Sequence, residues 1–232
     1  MLSEHELSEL PEVDHPRWDF AYPPISGGLD HVFPVLVLGE ESSGEPEIVS
    51  PNHDSFWEIV VQAKALYERT GIPPALMAKK GLMYPPHGPL LKRLGAFKVD
   101  RDSPSLPQLT AYTLNAKEED RCTVIYPEGS RHKGKKIPTQ IYVGETEDGR
   151  STFKDGALRI GRDLGMNIRP AATVMRGDRH NLTMYGEAFS PEGMTKDDLV
   201  DRMQAILNLA VAESCDRWGE DEVYNYEAVS GN

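Results

Sequence analysis

Asn52 and His53, with a carboxylate at Glu58, are the residues of this 232-residue chain whose types and spacing best suit chemistry. A neutral imidazole is the commonest general base near pH 7. A helix starting just after it disfavours the imidazolium through its dipole and so keeps the base neutral. Glu58 has the reach to orient the second ring nitrogen and to stabilise the imidazolium as it forms, as a carboxylate does in hydrolytic triads. A plainer reading competes. Ser55-Phe56-Trp57-Glu58 matches Ser-x-x-Glu, a capping box, and spacing alone favours that structural role. The two roles are compatible, because a carboxylate has two oxygens with several lone pairs. Asp54 is as near in sequence and reads as a turn or N-cap residue.

Cations recur at similar places. Arg101 follows one apolar run, and Lys79 and Lys80 close another. A third run delivers Pro127-Glu128-Gly129-Ser130-Arg131, with a glutamate, a glycine that permits close approach and a second arginine. Singly, these are surface charges and a turn. Together they suit a phosphate, with arginine as the bidentate partner. A base set among such cations implies deprotonation of a nucleophile on a phosphorylated substrate. There is no Gly-rich Walker-type loop for nucleotide phosphoryl transfer. His and Cys show no metal-ligand spacing, so no metal and no cofactor are expected.

Such a constellation needs a scaffold that brings several strand ends to one edge. Ile48-Val49-Ser50 reads as a strand entering the His53 turn, and Ile59, Val60, Ala63, Leu66 and Tyr67 as the buried stripe of a helix leaving it. Gly71-Ile72-Pro73-Pro74 stops that helix. Further strands are predicted at 32–38, 75–78, 96–99, 122–126, 168–174 and 182–188. Helices are predicted at 106–119 and 153–164, with a broken one over 82–94. A last helix is capped by Thr195 with Asp198 at the capping-box position, and Leu199, Met203, Ile206, Leu207 and Ala210 form its apolar stripe. The alternation predicts an α/β fold: a single domain with a mixed, mostly parallel central sheet flanked by helices. The expected organisation is an N-terminal arm over 1–30 that packs Trp18, Phe20 and Tyr22 on the domain, the domain itself over 31–218, and an acidic tail over 219–232. Residues 132–152 interrupt the rhythm as an inserted flap, basic and then acidic, with a hairpin at Ile141-Tyr142-Val143.

The formal charge of -12 disfavours nucleic acid and anionic bilayers as bulk partners. Cys122 and Cys215 read as reduced thiols of a cytosolic protein. No segment approaches the roughly 18 apolar residues of a membrane span. The acidic first 19 residues lack the apolar stretch of a secretory signal.

The three clusters resemble the motifs of the glycerolipid acyltransferase family, of the lysophosphatidic acid acyltransferase type. The family's Asn-His-x4-Asp is similar to Asn52-His53 with Glu58 at the acidic position. Its motif ending Val/Ile-Asp-Arg resembles Gly95-Ala96-Phe97-Lys98-Val99-Asp100-Arg101, and Phe-Pro-Glu-Gly-Thr-Arg resembles Tyr126-Pro127-Glu128-Gly129-Ser130-Arg131. Weaker echoes are Ala78-Lys79-Lys80, Phe153-Lys154-x-Gly156-Ala157 and Ile168-Arg169-Pro170. The resemblance implies a glycerol-3-phosphate acyltransferase-like fold. It also implies transfer of a fatty acyl group from acyl-CoA or acyl-carrier protein to a glycerol hydroxyl of a lysophospholipid-type acceptor, with lysophosphatidic acid the family default. It makes His53 the base and Glu58 its orienter. Asn52, Lys80, Arg101, Glu128, Gly129 and Arg131 become substrate-binding residues, with Arg101 and Lys80 on the phosphate. Three departures stand out. Glu58 is one methylene longer than aspartate, the 132–152 flap exceeds the usual short loop, and an acidic arm stands where many members carry apolar anchor helices. The implied location is cytoplasmic, with peripheral membrane contact through a patch such as Leu82-Met83-Tyr84 and Leu90-Leu91, residues more often found in cores. Two alternatives stay open: a thioesterase in which His53 activates water, and a non-catalytic binder of lipid phosphate or acyl carrier.

Overall fold

The computed structural model describes residues 3–10, 34–53, 57–84, 88–93, 95–99, 106–128, 140, 141, 143, 153–175 and 180–219. Most of the predicted arm, including its three aromatics, most of the flap and all of the tail after Gly219 lie outside the described residues.

Seven strands form one sheet: β1 (Val35–Gly39), β2 (Ile48–Pro51), β3 (Ala75–Lys79), β4 (Ala96–Val99), β5 (Thr123–Val124), β6 (Ile168–Met175) and β7 (Asn181–Tyr185). The described helices are α1 (Glu4–Ser8), α2 (Trp57–Thr70), α3 (Gly88–Arg93), α4 (Leu106–Glu118), α5 (Gly156–Leu164) and α6 (Lys196–Trp218), with a 3₁₀ turn over Lys80–Met83. The spatial order is β1-β7-β6-β2-β5-β3-β4. Strands β6, β2, β5, β3 and β4 run parallel; β7 is antiparallel to β6, and β1 is parallel to β7. This is the mixed, mostly parallel α/β sheet expected from the alternation of elements.

Both faces of the sheet are covered, so its central strands are apolar on both sides, as parallel strands are. Along β2, Ile48 joins one core cluster and Val49 the other. On the first face α5 and α6 bring Leu158, Ile160, Leu199, Met203 and Leu207 against Ile48, Ile168, Val174 and Leu182. On the second, α2 brings Ile59, Val60, Ala63 and Leu66 against Val49, Leu76, Val124 and Ala171. The capping box of α6 forms as expected. The Thr195 amide donates to Asp198 Oδ2 at 2.7 Å, and the Asp198 amide donates to Thr195 Oγ1 at 3.2 Å. Ile206 is only partly buried, so the stripe is narrower than its sequence suggests.

Several expectations shift. The strand predicted at 122–126 shrinks to Thr123–Val124, although the Ile125 amide still donates to Val49 O at 3.0 Å. Pro127 has no N–H with which to carry the ladder on. The predicted 182–188 strand ends at Tyr185; the Gly186 amide still donates to Pro170 O at 2.9 Å, and Phe189 exchanges two hydrogen bonds with Ile168. The helix predicted from 153 starts at Gly156. The broken helix over 82–94 resolves into the 3₁₀ turn and α3. Ile141 and Val143 are not in strands: the Ile141 amide donates to the Gln204 side chain at 2.8 Å and its side chain enters the core, so α6 takes the bond a hairpin partner would have taken. Of the patch expected at a membrane, Leu91 is buried and Met83 packs on the core, whereas Tyr84 is exposed. No described helix is long and apolar enough to cross a membrane.

Gly39 closes β1 at φ +97°, a backbone conformation that side chains rarely adopt, and a Cβ there would lie 2.0 Å from Tyr185 O. That carbonyl accepts the Glu40 amide at 3.0 Å, which fixes the end of the β1–β7 pair. Gly39→Ala is therefore expected to destabilise the protein by at least about 1–2 kcal/mol. Denaturant unfolding measures this; an unchanged midpoint would mean that β1 shifts without loss.

Candidate active site

The site is built at the C-terminal edge of the parallel strands. In open α/β sheets that edge lies beside helix N-termini and is where ligands bind. Strand β2 delivers Asn52 and His53, its neighbour β5 leads to Tyr126 and Glu128, and β3 leads to the backbone of Lys80 in the 3₁₀ turn. Strand β4, which leads toward Arg101, is three strand spacings from β2, about 14 Å. Arg101, Gly129 and Arg131 lie outside the described residues.

Asn52 extends the β2–β6 pairing beyond the strand. Its Nδ2 donates to Thr173 O at 3.1 Å, and its Oδ1 accepts the Thr173 amide at 2.7 Å. The carboxamide thus copies a backbone pair and locks the turn to β6. Thr173 is held in its turn: Gln62 Nε2 donates to its Oγ1 at 2.6 Å, Thr183 Oγ1 is 3.1 Å away, and the Tyr185 hydroxyl donates to Gln62 Oε1 at 3.2 Å. A buried polar network whose members find partners rigidifies what it carries. Here it carries the residue before His53.

His53 is buried, 5% exposed, and is held from three sides. Its backbone amide donates to Glu128 Oε1 at 2.7 Å, a charge-assisted bond that joins the ends of β2 and β5. Its ring lies against Tyr126, with centroids 4.4 Å apart and planes at 40°. Its Nδ1 faces Glu58 Oε2 at 3.6 Å, longer than a hydrogen bond but close enough for an imidazolium and a carboxylate to attract strongly in a buried setting. In unliganded sites such contacts are often long and tighten with substrate. Glu58 is 1% exposed in the first turn of α2 and turns its carboxylate to the ring. Ser55, its capping-box partner by sequence, lies outside the described residues.

Burial raises the Tyr126 phenol well above its usual range, and the Glu58 carboxylate and then Tyr185 raise it further. It therefore stays neutral at any working pH. Burial also pushes up the Cys122 thiol, which leaves it a neutral core residue. Among the described residues no cluster of His, Cys, Asp or Glu fits a metal ion.

The sequence singles out Asn52, His53, Glu58 and Glu128, and the fold brings these four together. Sequence reasoning missed Gln62, Thr173 and Tyr126. Gln62 is four residues after Glu58 and directly follows the apolar run Ile59-Val60-Val61, which was the available signal. Tyr126 stands directly before the Pro-Glu turn, and its alternation along β5 turns it to the α2 side, the side of Val124.

A family model described as Acyltransferase matches residues 34–174, which takes in Asn52, His53, Glu58 and Glu128. No curated protein matches the chain.

Proposed function

The chain belongs to the acyltransferase family, and from that membership we propose that it moves a fatty acyl group from the thioester of acyl-CoA or acyl-carrier protein to a glycerol hydroxyl, as the lysophosphatidic acid type does. The observation that carries this reading is the His53–Glu58 pair at the C-terminal edge of β2. With Nδ1 turned to the carboxylate, Nε2 is the nitrogen left to act as base.

In the proposed reaction Nε2 takes the proton of the acceptor hydroxyl as its oxygen attacks the thioester carbonyl. The tetrahedral intermediate collapses, the C–S bond breaks, and the thiolate leaves with the proton from His53. The ester bond formed replaces the thioester broken, and no cofactor takes part. Glu58 supports the imidazolium that exists between the two proton transfers. Arg101 and Lys80 hold the acceptor phosphate in this reading, and Gly129 and Arg131 line its path. Asn52 and Glu128 contribute through Thr173 and the His53 backbone, by fixing the base where the acceptor arrives. The reading places the protein in the cytoplasm, with peripheral contact to the membrane that holds its acceptor.

The test is mass spectrometry of products from one acyl-CoA and a panel of acceptors: lysophosphatidic acid, glycerol 3-phosphate and a non-phosphorylated monoacylglycerol. The expected result is acyl ester on lysophosphatidic acid and little on the non-phosphorylated acceptor. Release of free thiol with no acylated acceptor, whatever is offered, would replace the proposal by a thioesterase. No consumption of thioester at all would point to a binding protein.

A further inference from the structure

We infer that Gln62 is a positioning residue of this site: its carboxamide fixes α2 on β6 and so sets the separation of the Glu58 carboxylate from the His53 imidazole. The inference rests on the general-base reading of His53.

The two halves of the pair ride on different elements. His53 follows Asn52, whose carboxamide is bound to the backbone of Thr173 on β6 through its nitrogen at 3.1 Å and its oxygen at 2.7 Å. Glu58 rides on α2, and its Oε2 faces His53 Nδ1 at 3.6 Å. Much of what α2 sets against the sheet is apolar: Ile59, Val60, Ala63 and Leu66 meet Val49, Leu76, Val124 and Ala171. Apolar burial is non-directional, whereas a hydrogen bond has a narrow range of length and angle.

Gln62 supplies the directional tie. It follows Glu58 by one helical turn and is fully buried. Its Nε2 donates to Thr173 Oγ1 at 2.6 Å, and its Oε1 accepts the Tyr185 hydroxyl from β7 at 3.2 Å. Thr183 Oγ1, also on β7, lies 3.1 Å from Thr173 Oγ1. Thr173 therefore meets both halves of the site, Asn52 through its backbone and Gln62 through its side chain. The turn of helix between Glu58 and Gln62 is regular, so fixing Gln62 fixes the root of the Glu58 side chain. Stability alone does not call for an amide here, because an apolar pair of the same shape is nearly as stable. What the hydrogen bonds add is geometry, and catalytic groups need holding to within about 0.5 Å by the shell behind them.

The experiment uses the full chain with acyl-CoA and lysophosphatidic acid as substrates. Gln62→Met keeps the length of the side chain and removes its bonds; it is expected to lower kcat about tenfold, the size of one hydrogen bond, with KM for the thioester within about twofold. Thr173→Val takes the same bond away from the sheet side and keeps the backbone bonds to Asn52, so it should act alike even where Gln62→Met folds poorly. The double variant should be no slower than the slower single one, because one bond is removed twice. In a Glu58→Gln background Gln62→Met should change kcat by less than about twofold, since the carboxylate it places is gone. The His53 titration is a readout apart from turnover, and a purely structural tie would leave it in place. Glu58 and Tyr126 face the ring, and Glu128 meets its backbone. A carboxylate that drifts from Nδ1 favours the imidazolium less, so the ring's NMR titration, identified by its loss in His53→Ala, should move to lower pH in Gln62→Met. Wild-type kcat with an unmoved titration, or equal losses with and without the Glu58 carboxylate, overturns the inference. If His53→Ala turns over normally, the general-base reading has failed; if it is dead while Gln62→Met keeps both kcat and titration, only the role of Gln62 has failed.

Discussion

Replacing His53 by alanine is expected to lower kcat/KM for acyl transfer by about 10²–10⁴-fold, the range that general acid–base catalysis supplies. The size follows from the chemistry. A glycerol hydroxyl is a poor nucleophile while it keeps its proton, and no other side chain described at this edge is a neutral base near pH 7. Glu58 and Glu128 are carboxylates committed to the His53 ring and backbone. The substitution is also clean. The backbone amide that meets Glu128 remains, and so does the Asn52–Thr173 lock, so the turn keeps its place. The variant should unfold close to the wild-type midpoint, which circular dichroism checks alongside the rate. The lost ring leaves a small void beside Tyr126. Turnover within about twofold of wild type would remove His53 from the mechanism.

Much of this was legible in the sequence, for reasons that also explain what was not. Apolar periodicity reports burial, so the strand at Ile48 and most of the stripe of α6 were readable. Turn residues report chain reversal, so the strand-end clusters at His53 and Glu128 were placed correctly. Pairing between distant segments has no local signal. Strand β1 meets β7, where Asn181 Nδ2 donates to Pro34 O at 2.9 Å, a contact between residues 147 apart. Strand length is set by neighbours as well, and β5 stops early because its ladder gives way to a proline. In the site, spacing left Glu58 between cap and catalysis, since a first-turn carboxylate serves either. Only the fold shows its oxygen facing Nδ1. Glu128 was expected as a contact to substrate; that it grips the His53 backbone could not be read, because the bond joins two strands 75 residues apart.

The opposite edge of the sheet carries the largest expected effect on stability. Removing Arg169 is expected to destabilise the fold by about 3–5 kcal/mol, as the loss of one partner from a buried ion pair does. Arg169 Nε donates to Glu47 Oε2 at 2.6 Å and its Nη2 to Glu47 Oε1 at 3.0 Å, while Nη1 donates to Gly186 O at 2.7 Å. Arg169 is 4% exposed and Glu47 is 2% exposed. Arg169→Met would leave the Glu47 carboxylate in the interior without its counter-charge and the Gly186 carbonyl without its donor. The Arg69 guanidinium sits 4.7 Å from the centre of the Tyr185 ring; burial, then the charge of Arg169, lower its pKa from the usual value, and Tyr185 and Glu47 act in the other direction. For a chain of this size the loss corresponds to a fall in Tm of roughly 10 °C. Glu47→Gln in the Arg169→Met background should recover part of it, because the stranded charge is then gone. Arg169→Lys tests the geometry separately. It keeps the charge but cannot offer two parallel N–H donors to Glu47 and a third to Gly186, so it should fall well short of wild type. A lysine variant as stable as wild type would mean that charge alone holds this edge, and the bidentate fork would lose its assigned part in joining β2 to β6.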